Sequence, residues 1–348
     1  MFERRKTTNF YIANVGIGSD HTVSFQSMTN TDTRDTKATI DQIKRLEDVD
    51  CELVRLAVVD KQAADAIKQI KKSVNVPLIA DIHFDYRLAI DSILAGVDAL
   101  RLNPGNIGSV DNVKKVVELA KERAIPIRIG VNAGSLEKEF ADMPIVDAMV
   151  ESALKHISIL EHLEFELIKV SLKSSSVPVT IKAYEALAKR VNYPLHVGVT
   201  EAGTLRMGII KSATGIGSLL AQGIGDTIRV SLTDDPVEEV KAAYDILKSL
   251  ELRQKGLNLI SCPTCGRTEI NSIQLAKDVE KALEGIKKPL TVAVMGCVVN
   301  GPGEARHADI GIAGGKNKAV LFKKGEIIKT VAQDAILEVL LTEIKSML

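Results

Sequence analysis

The sequence carries no net charge, with 45 lysines and arginines set against 45 aspartates and glutamates over 348 residues. That balance gives no reason to expect nucleic acid or a membrane surface as a partner. No segment approaches the roughly 18 continuous apolar residues of a membrane span. Arg4, Arg5 and Lys6 have no apolar stretch behind them, so a secretory signal is not expected. Cysteines number only four. In a long chain without an export signal they point to metal or redox chemistry rather than disulfides, and to a reducing cytoplasm. Low-complexity runs are missing too. What remains, 45% hydrophobic and 26% charged residues, is the composition of a globular chain with a substantial core.

From residue 23 to 252 one unit repeats: a short apolar run, a polar loop and an amphipathic helical pattern. The apolar runs fall near 23–28, 52–59, 77–83, 99–103, 126–132, 166–172, 194–200 and 227–232. They are rich in β-branched and aliphatic residues and bounded by Pro, Gly, Asn or Asp, as buried parallel strands are. Helical patterns lie between them, among them Ala38–Leu46, Ala63–Lys71, Val110–Arg123 and Val237–Leu250. The last opens on Asp234-Asp235-Pro236, an acidic start with proline in the first turn. Eight such units in about 230 residues predict a (β/α)8 TIM-type barrel over residues 1–253. An open doubly wound sheet is the rival, but six strands suffice there. After Arg253 the alternation resets. Residues 254–348 read as a small α+β unit with strands at Leu257–Ile260, Leu290–Met295, Asp309–Ala313 and Ala319–Phe322, and helices at Ser272–Leu283 and Ala332–Met347.

Barrel enzymes keep their sites at the C-terminal ends of the strands. Polar residues two apart recur there: Asp81 and His83, Arg101 and Asn103, Arg128 and Asn132, Lys169 and Ser171, Arg229 and Ser231. Residues two apart share a strand face. The outer face packs on apolar helices, so these pairs are expected to point into the barrel mouth. Arg55 adds a cation at the same level. Five cations, Arg55, Arg101, Arg128, Lys169 and Arg229, then converge on one cavity of a neutral protein. They need either carboxylates, with Asp81 and Glu201 at hand, or an anionic ligand. Arginine grips phosphate with two parallel hydrogen bonds and lysine acts as a point charge, which favours a small, multiply charged ligand such as a diphosphate. His83 and His196 lie near strand ends, and Glu201 is the expected proton donor. His21, His156 and His162 look incidental.

The second unit holds Ser261-Cys262-Pro263-Thr264-Cys265-Gly266 and Gly296-Cys297-Val298-Val299-Asn300-Gly301-Pro302-Gly303-Glu304. Three soft thiolates in Gly- and Pro-rich turns can hold three corners of an iron–sulfur cube, with Glu304 as a harder fourth ligand. His307 is a rival for that fourth place. A structural zinc remains open, although the usual second C-x-x-C knuckle is absent. A redox dithiol remains open too, although it has no use for Cys297. Cys51, at the start of the second strand, reads as a small core residue.

The sequence resembles bacterial 4-hydroxy-3-methylbut-2-enyl diphosphate synthases of the non-mevalonate isoprenoid pathway. The likeness rests on the two cysteine segments and on Gln26-Ser27-Met28-Thr29-Asn30-Thr31-Asp32-Thr33, Arg101-Leu102-Asn103-Pro104-Gly105-Asn106, Val199-Thr200-Glu201-Ala202-Gly203, Gly223-Ile224-Gly225-Asp226-Thr227 and Arg229-Val230-Ser231-Leu232. It departs from the family at Gly18-Ser19-Asp20-His21-Thr22 and at Asp48-Val49-Asp50, where glycine is common. The resemblance implies a 4Fe-4S cluster on Cys262, Cys265, Cys297 and Glu304, and 2-C-methyl-D-erythritol 2,4-cyclodiphosphate as substrate. It also implies a two-electron ring opening with loss of water, and flavodoxin or ferredoxin as electron donor. Glu201, His83 and Glu304 are then the catalytic residues. Only about a dozen residues separate Leu250 from Cys262, a reach of at most roughly 40 Å. That length predicts a two-fold homodimer in which each cluster domain caps the partner's barrel. The alternative is a phosphate-ester transferase or aldolase with a structural zinc in its tail.

Overall fold

In the computed structural model the chain divides into two compact units, Met1–Arg253 and Gln254–Leu348. The described residues are 3–298, 303 and 305–348. The first unit opens with a hairpin of β1 (Phe10–Ile12) and β2 (Val15–Ile17). Eight parallel strands follow: β3 (Ser24–Met28), β4 (Leu53–Ala57), β5 (Leu78–Asp81), β6 (Ala99–Arg101), β7 (Ile127–Asn132), β8 (Ile168–Lys173), β9 (His196–Val197) and β10 (Thr227–Ile228). Their spatial order is β8-β7-β6-β5-β4-β3-β10-β9. A parallel bridge between Val170 and Leu195 joins the two ends, so the sheet closes into a barrel. The fold expected from the sequence is present.

Several barrel helices start on an aspartate whose side chain accepts a backbone N–H of the first turn: Asp35 from Ala38 at 3.0 Å, Asp60 from Ala63 at 2.9 Å, Asp235 from Val237 at 3.0 Å. Each cap satisfies one orphan donor and sets where the strand-to-helix loop ends. Alternation along the strands sorts the side chains. Val54, Leu56, Ile127, Ile129, Ile168 and Val170 face the helices and join the main apolar core. The other face changes character from bottom to top. Leu53, Ile79 and Ala99 pack at the lower end against Phe10, Ile12 and Ile17 of the hairpin, which plugs the barrel floor. Two residues further along each of these three strands stand Arg55, Asp81 and Arg101. A dry floor therefore underlies a charged mouth.

The hairpin was not among the strands read from the sequence, because three-residue strands are too short to show alternation. Strands β9 and β10 are also shorter than their apolar runs. Asp50, just before Cys51, has φ of +59°. Aspartate tolerates this left-handed conformation better than most residues.

The second unit is a five-stranded sheet of β11 (Leu257–Ser261), β12 (Leu290–Met295), β13 (Ile310–Gly315), β14 (Lys318–Lys323) and β15 (Glu326–Ala332), in that order. The first three strands are parallel and the last two antiparallel. Helices Ser272–Ala282 and Ile336–Lys345 share a core with the sheet through Val279, Val292, Ile312, Leu340 and Ile344. Strand β15 is an addition to the expected elements; it ends on Ala332, where the last helix was expected to begin, and that helix starts at Ile336. The strand's first five residues are exposed, so no alternation marked it.

Candidate functional site

The barrel mouth holds a cavity of about 150 Å³. Arg55, Arg101, Arg128 and Arg229 line it, together with Asp81, His83, Asn132, Ser171, Lys173 and Thr200. Asp81 organises one side. Its carboxylate lies 3.1 Å from Arg101 Nη1 and 3.5 Å from Arg55 Nε. Burial works against its charge, but Arg55, Arg101 and Arg128 outweigh burial and hold the carboxyl down at about 2. Arg55 also donates to Met28 Sδ at 2.9 Å, and burial lowers it to about 10. Arg101 donates to the Gly130 carbonyl at 2.9 Å. A Cβ at residue 130 would lie 2.5 Å from Arg101 Nε, so glycine is what lets this side chain cross the neighbouring strand.

On the far side Arg229 reaches Glu239 at 3.3 Å. Glu239 comes from the helix Pro236–Ser249 and also accepts from Ser27 Oγ at 2.9 Å and Leu232 N at 3.1 Å. Arg128 donates to Ser171 Oγ at 3.0 Å, while its Nε and Nη2 have no protein partner. Among the described residues, five lining cations (Arg55, Arg101, Arg128, Arg229 and Lys173) meet two carboxylates, Asp81 and Glu239. The formal excess is three positive charges. Burial, followed by mutual repulsion, pushes Arg128 and Lys173 well below their ordinary values. Unpaired donors and surplus charge in a small cavity are what an anionic ligand satisfies.

Several expected site residues stand elsewhere. Lys169 faces inward but lies below the cavity, 2% exposed, with Nζ unpartnered; burial and then Arg128 lower it to about 7. The lysine that lines the cavity is Lys173, four residues on and on the same strand face. Asn103 does not line the cavity. It clasps Gly130 instead, accepting from its N at 2.8 Å and donating to its O at 3.1 Å, and so fixes the strand that carries Arg128 and Asn132. Ser231 is half-buried and outside the lining. Glu201 is exposed on the loop after Thr200, with φ of +52°, and is not a lining residue. The carboxylate that balances Arg229 is Glu239, which strand periodicity could not reveal because it sits on a helix.

His83 does line the cavity. Its Nε2 is 3.7 Å from Asp81 and its ring contacts Arg101 Nη1 at 3.3 Å. Burial lowers its pKa against the pull of Asp81. His196 is fully buried, with Nδ1 2.7 Å from Thr227 Oγ1 and Nε2 unpartnered. His156 pairs with Glu137 at 3.1 Å and accepts from Gly105 N, a structural use. Cys51 is buried near the barrel floor, its thiol pushed up to about 12 by burial.

In the second unit the thiols gather where parallel strands end. Ser261 pairs with Val294, so Cys262 and Gly296-Cys297 leave neighbouring strands at the same edge. Gly296 N donates to Cys262 Sγ at 3.0 Å. A Cβ at residue 296 would meet the Thr268 side chain at 3.0 Å and Cys262 Sγ at 3.5 Å. Cys265 is exposed, and its thiol is lowered first by a backbone hydrogen bond from Arg267 and further by that guanidinium. All three cysteines are free. Among the described residues no three His, Cys, Asp or Glu side chains converge tightly enough to hold a single metal ion. A cubane spreads its ligand sulfurs over separate corners, and a backbone N–H aimed at a sulfur is the surrounding such a sulfur takes. In donor chemistry, three free thiols with a backbone N–H aimed at one of them are compatible with an iron–sulfur cluster. Glu304 lies outside the described residues. His307 is engaged by Arg306, whose Nε is 3.1 Å from its Nε2.

No helix among the described residues is long and apolar enough to cross a membrane. Solved structures with a similar barrel include a dihydropteroate synthase from Stenotrophomonas maltophilia, with a TM-score of 0.54 and 13% identity over 70% of this chain and 97% of that one. A type I 3-dehydroquinate dehydratase from Clostridium difficile gives 0.52 and 14% over 70% and 98%. At such identities the likeness concerns the fold alone. Full-length relatives are far more similar. The protein of Caldanaerobacter subterraneus subsp. tengcongensis named 4-hydroxy-3-methylbut-2-en-1-yl diphosphate synthase (flavodoxin) is 59% identical over 347 residues, 99% of this chain and 98% of its own. Its namesake from Dehalococcoides mccartyi is 58% identical over the whole of both chains. Residues 7–244 match the GcpE TIM-barrel domain and residues 258–346 the GcpE protein C-terminal domain. With both domains matched in order, the chain belongs to the GcpE family.

Proposed function

We propose that the protein is an iron–sulfur oxidoreductase of isoprenoid biosynthesis. It converts 2-C-methyl-D-erythritol 2,4-cyclodiphosphate to 4-hydroxy-3-methylbut-2-enyl diphosphate, taking up two electrons and two protons and releasing water. The observation that carries this reading is the cationic surplus around Asp81, a site matched to a compact diphosphate. Arg55, Arg101, Arg128, Lys173 and Arg229 bind and orient the diphosphate, with Asn132 and Ser171 as neutral donors. Lys169 adds positive charge from below. Asn103, through Gly130, positions the strand beneath the ligand. His83, beside Asp81 and Arg101, holds a proton at the cavity wall, and Glu201 brings one from the loop after Thr200.

Cys262, Cys265, Cys297 and Glu304 hold the 4Fe-4S cluster, which when bound supplies low-potential electrons one at a time. Flavodoxin, the donor in the relatives' names, or a ferredoxin provides those electrons. The short run from the last barrel helix to Cys262 supports a homodimer in which each cluster domain serves the partner's barrel. A cytoplasmic location suits the reduced thiols.

The test is anaerobic reconstitution with iron and sulfide, then incubation with the cyclic diphosphate and a reductant. The linear allylic diphosphate is the expected product, and Arg128→Met is expected to raise KM more than it lowers kcat. Cyclic diphosphate left unchanged by a fully loaded protein overturns the proposal.

A further inference from the structure

The edge that carries the thiols has a second feature, the tight turn between β13 and β14. Gly315 pairs with Lys318, leaving Lys316 and Asn317 at the tip, and Asn317 takes φ of +60°. A Cβ at Gly314 would lie 2.7 Å from the Gly296 carbonyl, and one at Gly315 would touch Val298 Cγ1 at 3.5 Å. The turn therefore packs against the residues on either side of Cys297. Gly314 is what allows that approach, since a Cβ at Gly315 would make only an ordinary contact with Val298.

Val298 is 47% exposed, and the loop from Pro263 to Arg267, with Cys265 in it, is exposed as well. Lys316 and Lys318 are both exposed and make no ion pair among the described residues. Two lysines toward the other end of the sheet, one on β14 and one on β15, are paired. Lys323 and Lys329 are each 2.8 Å from Glu343. Lys324, at the far turn, is exposed and without an ion pair among the described residues as well, so what sets Lys316 and Lys318 apart is their place beside Cys297. Arg267 adds a third cation at this rim; Glu269, an acid there, donates its N–H to the Gly296 carbonyl, and Asp334 follows the Ala332 that pairs with Lys318.

We propose that the β13–β14 turn, through Lys316 and Lys318, is the docking surface for an acidic flavin-carrying electron donor. The proposal rests on the reading of Cys262, Cys265 and Cys297 as cluster ligands. An electron carrier must come close to the group it reduces, yet leave after every transfer. Open cations around a small apolar contact provide this, because they steer encounter without burying a large interface. Each docking passes one electron from the reduced flavin to the cysteine-held cluster. Two dockings serve one turnover, and each donor departs one electron poorer.

The test is the double variant Lys316→Glu/Lys318→Glu in the full chain, with purified flavodoxin as the probe. Binding is measured by titration at low and at moderate ionic strength, and turnover with reduced flavodoxin or with dithionite. At low ionic strength flavodoxin binding, and kcat/KM for flavodoxin, are expected to fall roughly tenfold to a hundredfold. The difference should shrink as salt is added, while dithionite-driven turnover holds. Unchanged flavodoxin binding overturns the proposal. So does an equal loss with both reductants at full iron content, which would assign the lysines to the cluster or substrate instead. Should the double variant fail to fold or to take up iron, Lys316→Gln/Lys318→Gln is read by the same binding titration, with a smaller weakening expected and none overturning the idea. If the parent binds flavodoxin yet cannot turn over the cyclic diphosphate with dithionite, the proposed reaction fails while the docking surface stands.

Discussion

Lys169 offers a quantitative test of the barrel interior. Its ammonium is buried without a partner, next to Arg128 on the neighbouring strand, and its pKa falls from 10.5 to about 7. A base whose folded pKa lies below its unfolded value binds protons more readily when unfolded. Unfolding free energy therefore carries the full penalty below pH 7 and rises with pH across the window from about 7 to 10.5. A shift of that size corresponds to roughly 5 kcal/mol. Lys169→Met keeps the length of the side chain and removes the charge. Relative to the parent, the variant should be more stable by roughly 5 kcal/mol at pH 6, by about 2 kcal/mol at pH 9, and not at all near pH 10.5. Urea unfolding at several pH values checks this, read by hydrogen exchange at the amides of Ile168–Lys173 so that the signal belongs to the barrel. A difference that does not vary with pH, or a variant less stable than the parent at pH 6, refutes the reasoning.

Asp81→Asn leaves Arg55 and Arg101 without their shared carboxylate. The ligand-free protein should lose about 3 kcal/mol, and inorganic diphosphate should restore part of the melting temperature, more so than in the parent. Gly130→Ala places a methyl against Arg101 Nε, so affinity for the cyclic diphosphate, measured by calorimetry, should fall at least tenfold; an unchanged affinity would free Arg101 from the binding role. Calorimetry at pH 8 in buffers of different ionisation enthalpy should show net proton uptake on binding, because an anion raises the depressed lysine pKa values toward their ordinary range. Mixing a Cys297→Ser chain with an Arg101→Ala chain should recover activity that neither has alone, as a dimer with shared sites requires.

The barrel could be read from the sequence because each buried parallel strand is a compact aliphatic run closed by a turn residue. The ladder at β9 and β10 shrinks to two residues each, and there the apolar run overstates the hydrogen-bonded strand. Gly198 sits just beyond β9, where a Cβ would lie 2.5 Å from the Arg229 carbonyl and 3.0 Å from Lys173 Nζ. Period-two reasoning put the right residues on the inner face but could not give their depth. Along the inner face of β8 stand Lys169, Ser171 and Lys173, and only the last two line the cavity. Extending the same period from Lys169 through Ser171 would have reached Lys173. Glu239 was beyond such reasoning, since its role arises only when a helix folds back over Arg229. The thiol edge was legible because Cys262 and Cys297 each follow an apolar strand, and adjacent parallel strands bring their ends together. The basic turn beside it was not, because Gly314 reveals its use only against the Gly296 carbonyl.

The most direct measurement is the metal and sulfide content of protein isolated without exposure to air, taken together with its colour. Iron and acid-labile sulfide in equal amounts, about four of each per chain as a cubane holds, and greatly reduced in Cys297→Ser, are the predicted result. Stoichiometric zinc with no sulfide would contradict the account.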